Sequence, residues 1–378
     1  MTKIKVAHIA LSTTGVDVSV RLIIGNIDNN IFENIVIHGL FDTQKPFLDV
    51  SGQPVADYRL PLYRDIKPLS DFKSILKAYR IVKKEKPDLI HCHSAKGGII
   101  GRVVAKLTGT PVLFTPQAFS YLSTTSKVKR AIFLGIEKLF VKGSTLLASS
   151  PSEMERGTKE VGFNDKNAIL FNNSILPIDT IHPLTIPKTW PDSYICTIGR
   201  PGYQKNLELM LHAVNEVKKH RDIHLVLLGV GKEQGQVEGL LHIINTLGIK
   251  DNVTMVAWTE RENTFNIVKA AQLYISTARY EGLPYAIIES LALGKPSVVS
   301  NCDGNKDLVS NEYNGFVIAT ENPVDYAEKI LELLNNKELQ DSFSANSKTK
   351  FEASYNLNKT IKDLQDIYWD VKKNSGII

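Results

Sequence analysis

At 378 residues the chain is too long for one ordinary core, and its 43% hydrophobic and 22% charged content excludes disordered and fibrous classes. No run reaches the roughly 18 uninterrupted apolar residues of a membrane-spanning helix. Cys92, Cys196 and Cys302, odd in number and far apart, fit a reducing compartment, with no disulfide framework and no metal-ligand spacing. Charge is unevenly divided: residues 1–190 hold 25 Lys+Arg against 16 Asp+Glu, and Arg59 to Lys142 holds 17 against 5. Such a concentration is either a solvated surface or one for anionic headgroups or a phosphate-bearing acceptor. No aromatic residues interleave with the basic ones and no binding motif accompanies them, which argues against nucleic acid.

The opening MTKIKVAHIALSTTG carries lysines before an apolar run, as a secretory leader does. Its run is short, holds a histidine and lacks a cleavage site, so it reads as a first strand. Further short apolar runs come after it: NIVIHGL, LIHCH, PVLFT and TLLASS, then YICTIG, IHLVLLG, VTMVAW, QLYIST and PSVVSN. Helical patterns lie between them, including DFKSILKAYRIVKKEKP, NLELMLHAVNEVKKH and DYAEKILELLNNKELQ. Strands alternating with helices predict parallel sheets covered on both faces, and two such sets predict two doubly wound α/β domains. The four prolines of PIDTIHPLTIPKTWPDS, residues 177–193, predict an extended linker. In SSPSEME, Ser150 reads as an N-cap with Pro151 at the first helical position and Glu153 completing a capping box, a structural motif without chemistry.

Ligands of open parallel sheets bind where the carboxyl ends of strands lead into helices. Two stretches at such ends carry chemistry. In YICTIGRPGYQKNLELM, Arg200 and Lys205 flank a short loop and a helix start, which suits a diphosphate; the alternative is a solvated Lys205 and an Arg200 paired to an acid. In EGLPYAIIESLALGKP, Glu281 stands in the loop, Gly282 lets an anion approach the main chain, and Pro284 opens a helix. Glu289 sits among Ala286, Ile287, Ile288, Leu291 and Ala292, which leave little polar face, so a largely buried carboxylate there needs a partner such as vicinal hydroxyls. The alternative is an exposed Glu289 and a Glu281 held by the helix dipole. Cations for a diphosphate and carboxylates for hydroxyls together describe a nucleotide sugar. In LIHCHSAKGGIIGRVVA, His91 and His93 at a strand end have no convincing third metal ligand, so they read as structural, or with Lys96 as sugar or phosphate contacts.

The pair GR-x4-KN (199–206) and EGLP-x4-E (281–289), with LALGKPSVV and NGF (314–316) after it, resembles the retaining GT-B glycosyltransferases of family four over nearly the whole chain. The 89–105 stretch resembles their subgroup that builds capsule, O-antigen and exopolysaccharide. The resemblance implies two Rossmann-like domains facing each other across a deep cleft. Residues 1–185, completed by a C-terminal helix at about 360–378, would bind the acceptor and 186–359 the nucleotide sugar. It implies that Arg200 and Lys205 hold the donor diphosphate, Glu289 the ribose and Glu281 the transferred sugar. Main chain near Gly282, Leu283 and Pro284 would meet sugar or phosphate. Gly15, in STTG, takes the place of the family's glycine-rich first loop, and His93, Lys96 and Gln117 lie on the acceptor or sugar side. Gln117 replaces the family's histidine and cannot take up a proton at neutral pH.

The same resemblance implies transfer, with retention, of a hexose or N-acetylhexosamine, UDP-linked, to a saccharide acceptor that is lipid-diphosphate-linked. No obligatory metal and no cofactor are expected, and the location is cytoplasmic, peripheral at the inner face of the membrane. Rival readings are a nucleotide-sugar epimerase, a noncatalytic nucleotide-sugar sensor, and a retaining glycosidase using the two glutamates, which would leave the cations unexplained. A Rossmann dehydrogenase lacks its G-x-G-x-x-G after the first strand.

Overall fold

A computed structural model describes residues 3–63, 65–179, 190–231, 234–257 and 259–374. The chain divides into two compact units, 1–173 with 357–378, and 174–356. Most of the linker expected at 177–193, and the boundary expected at 185, fall on residues outside this description.

The first unit runs β1 (Ile4–Ile9), α1 (Thr14–Ile24), β2 (Phe32–Gly39), β3 (Ala56–Leu60), α2 (Pro68–Glu85), β4 (Leu89–His93), α3 (Ser94–Thr108), β5 (Val112–Thr115), α4 (Lys127–Leu139), β6 (Thr145–Ala148), α5 (Pro151–Arg156) and β7 (Ala168–Leu170). Its sheet is parallel, in the order β3-β2-β1-β4-β5-β6-β7. Strands such as IKVAHI and LIHCH are buried on both faces and so read as nearly continuous apolar runs. Helices α2, α3 and α4 share one core through Ala78, Ile81, Ile100, Val104, Phe133 and Leu134.

The second unit runs β8 (Ile195–Ile198), α6 (Leu207–Lys218), β9 (Leu225–Leu228), α7 (Gln234–Leu247), β10 (Val253–Val256), α8 (Arg261–Ala270), β11 (Tyr274–Ser276), α9 (Tyr285–Ala292), β12 (Ser297–Ser300), α10 (Asn305–Leu308), β13 (Gly315–Ile318), α11 (Pro323–Asn335) and α12 (Lys337–Ser354). Its parallel sheet is ordered β10-β9-β8-β11-β12-β13. The last helix, α13 (Leu357–Asn374), belongs to the first unit, where Leu364 and Tyr368 pack with Ile4, Val6 and Leu89.

All ten strands read from the sequence are present; β3, β7 and β13 are additional. ADYRL of β3 lies at the sheet edge and buries only Leu60 fully, so it lacks the apolar run that marks a buried strand. The single helical pattern at 325–340 is corrected: α11 ends at Asn335, and Asn336 caps α12 by accepting from the Leu339 N–H at 3.0 Å. An Asn side chain that bonds its own downstream backbone starts a new helix more readily than it continues an old one. In each sheet the strand order reverses once, between β1 and β4 and between β8 and β11. Loops at such a switch point diverge to opposite faces and leave a crevice for ligands.

Candidate functional site

In the second unit the loops after β8 and β11, one on each side of the switch point, carry the two motifs. The first turns through Gly202, at φ 147, and reaches Asn206, whose φ of 49 sets the start of α6. Gly199 lies close under the Lys205 stem: a Cβ there would come within 3.1 Å of Cγ and Cδ of Lys205, so the stem would have to shift to make room. The Thr277 hydroxyl, just past β11, lies 2.9 Å from the Asn206 carbonyl and 3.2 Å from that of Lys205. Arg279 closes the seam, with its N–H on the Gln204 carbonyl at 2.8 Å and its guanidinium on the Tyr203 carbonyl at 2.9 Å. These bonds hold the two loops as one body.

Within that body Lys205 Nζ donates to Glu281 Oε1 at 2.6 Å, and Gln204 Nε2 donates to Glu281 Oε2 at 3.1 Å. The Glu281 side chain is 9% exposed and that of Lys205 24%, so this pair is partly withdrawn from water. Arg200 stands on the exposed side of the same loop. Gly282 and Leu283 are buried behind it. Gly304 presses on this turn at φ 75: a Cβ there would come within 2.4 Å of the Gly282 carbonyl oxygen. Pro284 is the N-cap of α9 and supplies no side-chain cap, and the helix ends before Gly294, at φ 66.

Glu289 is buried on α9, as its apolar neighbours indicated. Burial raises its pKa above the ordinary carboxylate value, against the opposing pull of Arg261. Arg261 donates to Glu289 Oε1 from Nε at 2.9 Å, with a terminal nitrogen at 2.7 Å from the same oxygen. Sequence reading missed this arginine: WTERENT has no motif, and its approach to Glu289 depends on α8 packing against α9.

In the first unit Gly15 lies in the first turn of α1, after Thr14 at φ 50. The preceding Ser12 N–H donates to Asp42 Oδ2 at 2.8 Å, and its hydroxyl donates to Asp17 Oδ1 at 2.8 Å. Lys96, on α3, donates to both oxygens of Asp71 on α2 at 2.7 and 2.6 Å, so its charge is already compensated within the unit. Gln117 and Ala118 both have positive φ, 51 and 82. The turn is held by Glu153, which accepts from the Ala118 N–H at 2.8 Å as well as from the N–H and hydroxyl of Ser149. The capping stretch around Ser150 thus supports the Gln117 turn, a role the motif alone did not reveal. Nε2 of Gln117 is buried with no hydrogen-bond partner among the described residues.

The reading that His91 and His93 have no convincing third metal ligand is corrected by His8. β1 and β4 are adjacent and parallel with His8 opposite His91, so the three imidazoles place one nitrogen each within 4.8 Å of one another. Residues 83 positions apart meet only through that register. The cluster is fully buried, and among the described residues every ring nitrogen but Nδ1 of His93 is hydrogen-bonded. The Thr115 hydroxyl donates to the Leu147 carbonyl, so it accepts from Nε2 of His91 at 2.9 Å, while Tyr368 donates to Nδ1 at 2.7 Å. With Asn34 Oδ1 accepting from His8 Nε2, His8 Nδ1 accepts from His93 Nε2 at 3.2 Å. All three rings are then neutral, and burial lowers each pKa, that of His8 to about 4. A metal here would cost His91 one of its bonds and bury two positive charges without a carboxylate.

A parallel sheet with a cation and two buried carboxylates in the loops at its switch point suits a ligand that carries both phosphate and hydroxyls, and the fold is of the GT-B type. The chain belongs to the glycosyl transferases: residues 186–350 match the family described as Glycosyl transferases group 1, and residues 10–172 match the Glycosyl transferase 4-like domain. It is a glycosyltransferase related to those of capsule and O-antigen assembly. It is 27% identical to the UDP-Gal:alpha-D-GlcNAc-diphosphoundecaprenol alpha-1,3-galactosyltransferase of Escherichia coli, over 98% of each chain. To the capsular polysaccharide biosynthesis glycosyltransferase CapM of Staphylococcus aureus it is 23% identical, over 84% of this chain and 85% of the other. Sucrose-phosphate synthase from Thermosynechococcus elongatus shares the fold, with a TM-score of 0.83 at 17% identity, over 97% of this chain and 98% of that one.

Proposed function

We propose that the protein transfers, with retention, a hexose or N-acetylhexosamine from its UDP-sugar to a saccharide on a lipid diphosphate, in the assembly of a bacterial surface polysaccharide. The observation that carries this reading is Lys205 in contact with Glu281 at the switch point, with Glu289 buried further along α9. The E. coli relative's name, with its UDP-linked donor and its diphosphoundecaprenol acceptor, supports the choice of substrate class.

In this reading Lys205 and Arg200 take the diphosphate, Glu281 turns to the hydroxyls of the transferred sugar, and Glu289 accepts from the ribose. Main chain at Gly282, Leu283 and Pro284 lies against sugar or phosphate, and Gly15 borders the donor. His93, Lys96 and Gln117 belong to the acceptor or sugar side, where the unpartnered Gln117 amide donates to a sugar hydroxyl. The acceptor oxygen bonds to the anomeric carbon on the face from which the phosphate oxygen departs. The acceptor's proton passes to a phosphate oxygen, and UDP leaves. Negative charge grows on the leaving group, so fixed cations stabilise the transition state beyond the ground state and substitute for a divalent ion.

Among the described residues no helix is long and apolar enough to cross a membrane. The location we propose is peripheral, at an anionic inner leaflet. Leu69 and Phe72 on α2 and Val128, Ile132 and Leu139 on α4 are exposed, beside exposed Lys73, Lys77, Lys127 and Lys138 on the same layer of helices. Apolar side chains amid lysines suit headgroups and upper acyl chains.

The test is transfer from a panel of UDP-sugars to a synthetic GlcNAc-diphosphate lipid, with the anomeric configuration of the product read by NMR. An α-linked product from an α-linked donor is expected; an inverted product, or sugar release without acceptor, overturns the reading. Vesicle binding that requires anionic lipid and weakens with salt is expected for the peripheral location, and salt-independent partitioning would exclude it.

A further inference from the structure

Glu289 is held through one oxygen only. Arg261 places both contacting nitrogens on Oε1, at 2.9 and 2.7 Å, and among the described residues nothing bonds Oε2. A buried carboxylate ordinarily has its lone pairs satisfied. Arg261 reaches it from the first turn of α8, which packs beside α9, and its guanidinium also lies 5.3 Å from the Phe265 ring centre, which limits the ways it can swing. Charged groups on the other elements against α9 do not act on this carboxyl. Lys306 and Asp307 of α10 are engaged with Asp303 and the Gly304 amide, and Lys348 of α12 lies against Gly294. Among the described residues Arg261 is its one charged neighbour.

The geometry points to Arg261 as a positioning residue for the nucleotide: it grips Glu289 by Oε1 and leaves Oε2 directed to the ribose hydroxyls of the donor. The inference rests on Glu289 being the ribose acceptor. Without the arginine, burial alone governs the carboxyl. Its pKa then lies higher than with the arginine in place, so protonation, which offers a donor where the sugar needs an acceptor, weakens ribose binding towards lower pH, and binding recovers as the pH rises. Arg261 touches neither sugar nor phosphate in this scheme, so its loss acts on donor KM rather than on kcat.

The experiment measures donor KM and kcat from about pH 6 to about 9 for wild type, Arg261→Gln, Arg261→Lys and Glu289→Gln. Expected for Arg261→Gln is a donor KM raised about tenfold at neutral pH with kcat within about threefold, and recovery as pH rises. Arg261→Lys, which keeps a cation, restores most of the affinity. Should Arg261→Gln fail to fold, Arg261→Met takes its place, with the same rise in donor KM and the same recovery at higher pH expected. A KM rise that is flat across pH means that Arg261 meets the donor itself and overturns the inference, as does no rise. If instead Glu289→Gln leaves donor KM unchanged, the ribose assignment falls; if that variant raises KM while Arg261→Gln does not, only the role of Arg261 falls.

Discussion

Lys205→Ala tests the site where its electrostatics are concentrated. The ammonium sits 2.6 Å from Glu281, and among the described residues Gln204 at 3.1 Å is the other side chain bonded to that carboxylate. Truncation leaves Glu281, 9% exposed, without its charged partner, a cost to stability of about 1–3 kcal/mol. Catalysis should suffer separately. Removing one preorganised stabiliser of developing charge lowers kcat by about two to three orders of magnitude, or about 3–4 kcal/mol. Part of the phosphate contact already exists in the ground state, so UDP affinity, read by calorimetry, should weaken only about tenfold. The companion Glu281→Gln releases Lys205 from its internal partner, so UDP lacking a sugar should bind more tightly while turnover falls. Turnover by Lys205→Ala within about threefold of wild type would refute a transition-state role for the cation, and weaker UDP binding by Glu281→Gln would refute the competition.

Gly304→Ala should raise donor KM and lower the melting temperature, since its Cβ would meet the Gly282 carbonyl at 2.4 Å and the Pro284 ring at 3.0 Å with neither free to retreat; the positive φ adds roughly 1–3 kcal/mol of strain. Unchanged kinetics in that variant would remove Gly282 from the donor turn. Stability should fall as pH drops from about 6.5 towards about 4, because the unfolded chain takes up protons that buried, neutral His8, His91 and His93 refuse. Above that window both states are neutral and the groups contribute no slope; for His8 alone the full loss is about 3 kcal/mol. Urea titrations at stepped pH read the slope, and His8→Asn should flatten it. Chelation of divalent ions with EDTA should leave transfer at its original rate, since Lys205 and Arg200 face the phosphate charge; loss of activity restored by added metal would contradict this.

The alternation of apolar runs with helical patterns was enough to indicate two doubly wound sheets, because strands buried on both faces must be apolar throughout and so advertise themselves locally. Short motifs likewise exposed Lys205, Glu281 and Glu289: a glycine that bares backbone, or a glutamate among isoleucines, departs visibly from its surroundings. Burial of Glu289 could be anticipated in this way; its partner could not. Arg261 and His8 carry no local signature, since each matters only through a neighbour brought to it by the packing of α8 on α9 or the register of β1 on β4. The same holds for Glu153, which reads as a helix cap yet holds the Gln117 turn. Which residues can donate, accept or carry charge was written along the chain. Which of them meet was decided by strand order and helix packing, because hydrogen bonds and ion pairs act over a few ångströms of space whatever their separation in sequence.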